Sequence, residues 1–471
     1  MIRPYRRRDV AVFSAVVALV MAYPAAAQPS AERARPPSDP AEFTAPPAKP
    51  ASVKGPFSVV AAGDIMLARP QASNPDPELQ AVLAMIRDAD VAIANQEGPA
   101  LDLKALPRGT FGMFGGLISE PQMAADYKSM GFDLIATANN HSTDWGGEGL
   151  VQALDLLDKA GVGHAGAGRS MTEARRAGFV DTPKGRVGLV ATASTVKANS
   201  RAGDAGPMAP DQTGISTLRL RTLNLVDAET FETIRKLAAN LASPLKPAPA
   251  ADAKEIVLGD QIYRIGSGPL RSYQMDLYDH TALVKSVREA KAQSDLVVFH
   301  IHAHESPTGV DDDTPEPPDF LARLFRDAVD AGADVVMGGG PHSTRGVEIY
   351  KGKPIFYGLG LFFFKPQLMG AAESSPRKWP DDGYPALPNP RPSNPASWYD
   401  SVLAISDFDG AKLTQVRLYP IDLAQPQPAR GLPHLAKGAR AQEILARLQR
   451  DSRPLGTTIR IENGVGIIRP R

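Results

Sequence analysis

Cysteine is absent from the 471 residues. No disulfide can staple the fold and no thiolate can bind a metal, so stability rests on an apolar core and any ion must be held by oxygen and imidazole. Net charge is missing as well. Lys+Arg and Asp+Glu number 52 each, which leaves no overall field to attract nucleic acid or anionic lipid and argues against a nucleic-acid partner. The apolar run at residues 10–21 falls short of the roughly 20 residues that cross a bilayer. It follows Arg3, Arg6, Arg7 and Arg8 and precedes Ala25-Ala26-Ala27, the layout of a cleaved signal peptide over residues 1–27 rather than a stable transmembrane anchor. Export to the periplasm or cell envelope is therefore expected, by a general or a twin-arginine route. Residues 28–54 are rich in Pro, Ala and charge and read as a disordered linker. One domain is expected over 55–471, with long surface loops at its Pro-rich interruptions, 244–251 and 376–395.

Histidine is scarce, eight in the whole chain, which makes its clustering informative. Three alternate in FHIHAHE as His300, His302 and His304, behind the apolar residues 296–299. Alternation in a strand turns such side chains to one face. Asn139, Asn140, His141 and Asp144 follow the apolar stretch 132–138, and His342 follows 333–337 inside GGGPHSTRG. Polar groups gathered at the ends of buried strands are where open α/β sheets keep their chemistry. The glycines before His342 do not make a phosphate loop, because no GxxxxGK[ST] is present. Their expected role is tight turning at the sheet edge.

Strand-like and helix-like patterns alternate: 57–62, 91–94, 134–138, 188–192, 296–302 and 334–338 as strands; 77–89, 121–130, 149–160, 282–293 and 318–331 as helices. This order predicts a mostly parallel sheet covered by helices. A hairpin over 347–350 and 355–359 adds an antiparallel part, and the region 400–471 supplies further strands and a helix near 440–449. The segment 200–280 carries weak patterns and is expected to form a rim over the site.

GDIMLAR (63–69), ANQEGP (94–99), ATANNHSTDWGGEGL (136–150), HAHE (302–305) and AGADVVMGGGPHSTRGVEIYKGKPIFYGLG (331–360) resemble the successive motifs of the bacterial capsule-synthesis CapA, or poly-γ-glutamate synthesis, family. That family is similar to the calcineurin-like metallophosphoesterases. The resemblance implies a four-layer α/β/β/α sandwich with mixed sheets, one or two divalent ions (Mn, Zn, Fe or Mg), and work on an anionic envelope polymer or with its synthesis and export machinery. Residue by residue it implies metal ligands at Asp64, Glu97, Asn140, His302 and His342, with Glu97 bridging. It implies His141 as the acid toward a leaving group, and we pair it with Asp144. Two places depart from the pattern: Met66 stands for one expected histidine, and Gly339 and Gly340 for another. His304 is the expected replacement; His300 is a second candidate, though its place inside the strand favours a core histidine over a site role. Asn95, Asn139, Arg219 and Arg345 are candidates for substrate contact, the arginines through forked donors. A metal-dependent hydrolase of phosphoester or amide bonds and a non-catalytic, polymer-binding accessory protein are both compatible with this set.

Overall fold

The computed structural model describes residues 53–107, 116–267, 270–309, 314–365 and 395–470. The expected leader at 1–27, and all of the expected linker except its last two residues, lie outside them. Two large sheets dominate a mixed α/β architecture. The larger has the order Arg460–Glu462, Val465–Ile468, Lys412–Asp422, Asp400–Asp409, Pro56–Leu67, Val91–Gln96, Leu134–Ala136, Gly163–Ala165, with Leu361–Lys365 also paired to Pro56–Leu67 and His434–Leu435 to Lys412–Asp422. The smaller has the order Val347–Tyr350, Lys353–Phe356, Val335–Gly339, Leu296–His302, Gly185–Ala193, Gly178–Thr182. The centres of both are parallel, as the alternating pattern predicts, while the C-terminal strands make one flank of the larger sheet antiparallel.

Side-chain alternation explains the packing. On Pro56–Leu67, Val59 and Ala61 join Ile93, Leu134, Leu189, Val298 and Val335 in a cluster drawn from both sheets. The intervening Val60 and Ala62 belong instead to a cluster with Leu79 and Leu83 of helix Pro77–Arg87 and Tyr127 and Met130 of helix Met123–Met130. The smaller sheet likewise turns Val297, Phe299 and Ile301 toward Leu283, Val287, Leu324 and Phe325 of helices Leu277–Gln293 and Asp319–Ala331. Helix Pro77–Arg87 is typical of how these elements are specified. Asp76 caps it by accepting from the Glu78 and Leu79 N–H groups, Pro77 fits the first turn, and Leu79, Val82, Leu83 and Ile86 form its buried stripe.

The weakly patterned segment near 200–280 forms a separate small sheet, Glu255–Leu258, Gln261–Ile265, Leu220–Val226 and Arg271–Met275 in that order, with helix Ala228–Asn240 packed on it. No helix among the described residues is long and apolar enough to cross a membrane.

Candidate metal centre

Parallel strands of both sheets end at one place and deliver their polar residues there. Asp64 lies in Pro56–Leu67 where the pairing register shifts, and its N–H donates to the Gly360 carbonyl at 3.1 Å. Gly63 makes that approach possible, since a Cβ on it would sit 1.8 Å from the Gly360 oxygen. Asn95 and Glu97 lie at and just past the end of Val91–Gln96. Asn139, Asn140, His141 and Asp144 occupy the turn after Leu134–Ala136, and His302, His304 and His342 lie at or just past the ends of the two central strands of the smaller sheet.

Buried amides hold the Asp64 carboxylate in place. Asn95 Nδ2 donates to Asp64 Oδ1 at 2.7 Å and lies 3.1 Å from His302 Nδ1. Asn139 Nδ2 in turn donates to Asn95 Oδ1 at 3.1 Å and to the Gln96 carbonyl at 2.7 Å, while its own oxygen accepts from the His141 N–H. The two asparagines expected to touch substrate are thus joined to the ligand cluster itself. The Gly340 N–H donates to Asp64 Oδ2 at 2.8 Å. Gly340 has φ +106° and a Cβ there would lie 2.8 Å from the Ala303 nitrogen, so only glycine suits this close crossing.

Two triads emerge. Asp64, Glu97 and His302 offer ligand atoms all within 4.8 Å of one another, and so do Glu97, His304 and His342, with Glu97 common to both. His304 closes on the cluster: its Nε2 is 3.1 Å from His302 Nε2, and its ring centroid is 5.4 Å from that of His342. Burial works against the charged form of Asp64, but the His302 imidazole and the Gly340 N–H outweigh it and hold the carboxyl below the usual carboxylate range. Burial pushes His302 down to about 4 despite Asp64 beside it. A charged carboxylate next to neutral imidazole is the protonation state that ligates metal. The donor set fits a divalent ion on a further ground, the Asn140 side-chain oxygen, which is buried without a hydrogen-bond partner. Met66 packs in the helix-side core cluster.

Beside the triads, His141 Nδ1 pairs with Asp144 Oδ2 at 2.7 Å, and its Nε2 lies 3.9 Å from Glu97. Asp144 is fully buried and also accepts from the Leu117 N–H at 2.6 Å and from Lys197. A groove of 1080 Å³ opens here, lined among others by Asp144, Glu148, Lys197, Asn199 and Gln212. Lys197 in a loop, and Trp398 in the short 3-10 helix Ala396–Tyr399, with its ring centroid 4.1 Å from that of His342, escaped sequence reasoning, because a lone Lys or Trp carries no local pattern. The two candidate arginines are placed otherwise. Arg219 is engaged by Asp276 and Asp279. Arg345 is fully buried and donates to the Thr314 and Glu305 carbonyls at 3.2 Å each.

The family model described as bacterial capsule synthesis protein PGA_cap matches residues 58–366, the stretch that contains every ligand of both triads. The chain belongs to this family. Two uncharacterized proteins of Sinorhizobium fredii, y4sH and y4uA, are each 36% identical to it over 442 residues, spanning 88% of this chain and 93% of theirs. The PGA biosynthesis protein CapA of Bacillus subtilis is 24% identical over 307 residues, 64% of this chain and 62% of its own. A solved structure of a hypothetical protein from Thermus thermophilus covers 78% of this chain and 99% of its own at TM-score 0.35 and 15% identity, a likeness too slight to bear on the PGA_cap site.

Proposed function

We propose that this PGA_cap protein is an exported, metal-dependent hydrolase acting on phosphoester or amide bonds of an anionic envelope polymer, and that its two large sheets form the α/β/β/α sandwich of the metallophosphoesterases. The observation that carries the reading is the pair of ligand triads sharing Glu97. Export rests on the signal-like residues 1–27. The polymer class rests on the family and on relatives named for capsule biosynthesis.

Asp64, Glu97 and His302 would hold one ion, and Glu97, His304 and His342 a second, with Asn140 an added oxygen donor. Ions bound there supply a Lewis acid and a nucleophile usable near neutral pH. The chain's own groups do the rest. Asn95 fixes the Asp64 carboxylate by a direct hydrogen bond, and Asn139 holds Asn95 behind it, as second-layer partners of metal ligands do. The buried Asp144 carboxylate accepts a hydrogen bond from His141 Nδ1–H, and in the imidazolium form the Nε2–H, turned toward Glu97, would pass its proton to a departing oxygen or nitrogen and leave the neutral Nδ1–H imidazole. The adjoining groove of 1080 Å³ is the place where the polymer would lie, with Lys197, paired to Asp144, in its wall.

A second reading, a polymer-binding accessory protein without turnover, is favoured by Met66 and Gly339, which leave the triads with fewer imidazoles than the metallophosphoesterase pattern implies. The deciding experiment reconstitutes purified protein with Mn(II) or Zn(II). Bound metal is then measured, with hydrolysis of bis-p-nitrophenyl phosphate and of poly-γ-glutamate, in wild type and His141→Asn. Bound metal with hydrolysis that collapses in the variant supports the enzyme. Bound metal without turnover of either substrate supports the accessory reading, and absence of metal removes both triads from the account.

A further inference from the structure

His300 has no role in either triad, yet its surroundings are not those of a core histidine. It is fully buried, and both of its ring nitrogens lack a hydrogen-bond partner. A buried imidazole that satisfies neither nitrogen is destabilising, and native interiors keep few such groups. Its neighbourhood suggests what the missing partner is. On the adjacent strand Gly339 has no side chain, and a Cβ built there would stand 2.5 Å from Asp64 Oδ1 and 2.9 Å from His300 Nε2. The carboxylate oxygen and the imidazole nitrogen therefore flank one small notch from two sides, and any side chain at 339 would close it. Register explains the geometry: His302 lies opposite Gly339 and His300 opposite Met337, so His300 shares the face of His302 one step further back.

We propose that His300 is a nitrogen ligand of the ion on the Asp64 side, admitted to it through the space that Gly339 leaves open. The inference rests on the metal reading above and adds a ligand to it. It would add His300 as a fourth ligand to Asp64, Glu97 and His302, whose ligand atoms lie within 4.8 Å of one another without it. It also makes Gly339 a requirement of the site, since any larger residue there displaces either the carboxylate or the imidazole.

The test measures Co(II) and Mn(II) affinity by calorimetry, together with the visible absorption of the Co(II) form, for wild type, His300→Ala, His300→Gln and Gly339→Ala. Circular dichroism confirms that each variant is folded. We expect the three variants to lose affinity for one of two ions by more than about 100-fold, above the roughly 10–100-fold typical of outer-layer partners. The Co(II) spectrum should shift as a nitrogen donor is lost. Wild-type affinity and an unchanged Co(II) spectrum in both His300 variants overturn the proposal while leaving the triads standing. Failure of wild type to bind either ion overturns the triads and this ligand together.

Discussion

Asp144 shows how much one buried carboxylate can organise. It receives His141, Lys197 and the Leu117 N–H at once, so it fixes both the direction and the tautomer of the His141 imidazole. Asp144→Asn replaces an acceptor with a donor on one side and should lower turnover about 10²–10⁴-fold, the usual scale for general acid–base groups. Bound metal, measured separately, should stay at the wild-type level because Asp144 belongs to neither triad. A parallel loss of metal would mean that Asp144 acts on the ligands rather than on His141. The places of Asp64, Glu97, Asn140, His141, His302 and His342 at or beyond the ends of apolar runs were legible in the sequence, while the roles expected of them came from the family resemblance. His300 was legible as a residue and not as a role: its significance depends on the missing side chain of Gly339, one strand away and 39 positions later in a sequence that gives no sign of the contact.

At the scale of elements, Asp279 ties together two helices, a loop and the residue just before strand Leu220–Val226. It sits fully buried in the first turn of helix Leu277–Gln293 and pairs with Arg175 at the end of helix Met171–Arg175, with Arg201 from a loop, and with Arg219. Burial raises its pKa, but the arginines more than offset this and bring it down to about 2. A carboxyl depressed in the folded state adds stability that is fully present above its unfolded pKa and is lost as pH falls through the folded value. That contribution, roughly 2 kcal/mol, should therefore fade between pH about 4 and pH about 2. Asp279→Asn should cost about 3 kcal/mol at neutral pH, as expected when a buried charge cluster loses one partner. In urea melts, the gap between wild type and variant should narrow over that acid window. A gap that stays constant would show that packing, not charge, is what the variant disturbs. This cluster also explains why Arg219, a candidate for substrate contact by its charge, is committed elsewhere. Periodic elements such as Leu296–His302 and Asp319–Ala331 match their sequence patterns within a residue or so. The run PIFYGLGLFFF does not, because it is apolar throughout and has no period to mark a break. The chain there leaves the smaller sheet after Phe356, turns at Gly360 with φ +77°, and enters the larger sheet as Leu361–Lys365.

The molecule as a whole is built so that its chemistry straddles its main interface. Asp64 and Glu97 belong to the larger sheet, and His302, His304 and His342 to the smaller, with the shared apolar cluster behind them. Any ion bound by both sets bridges the sheets and exists only in the folded state, so it must stabilise the fold by mass action. At free metal a hundred-fold above Kd the gain is about 2.7 kcal/mol for one site, enough to raise the melting temperature by several degrees. Two variants separate this linkage from ordinary packing. Leu189→Ala empties part of the cluster between the sheets and should cost about 2–5 kcal/mol with or without metal, leaving the metal-induced rise in Tm intact because the strand ends keep their positions. Glu97→Ala removes the carboxylate common to both triads and should abolish that rise, while the metal-free protein melts close to wild type. If added Mn(II) or Zn(II) stabilises Glu97→Ala as much as wild type, the ions bind somewhere other than between the sheets.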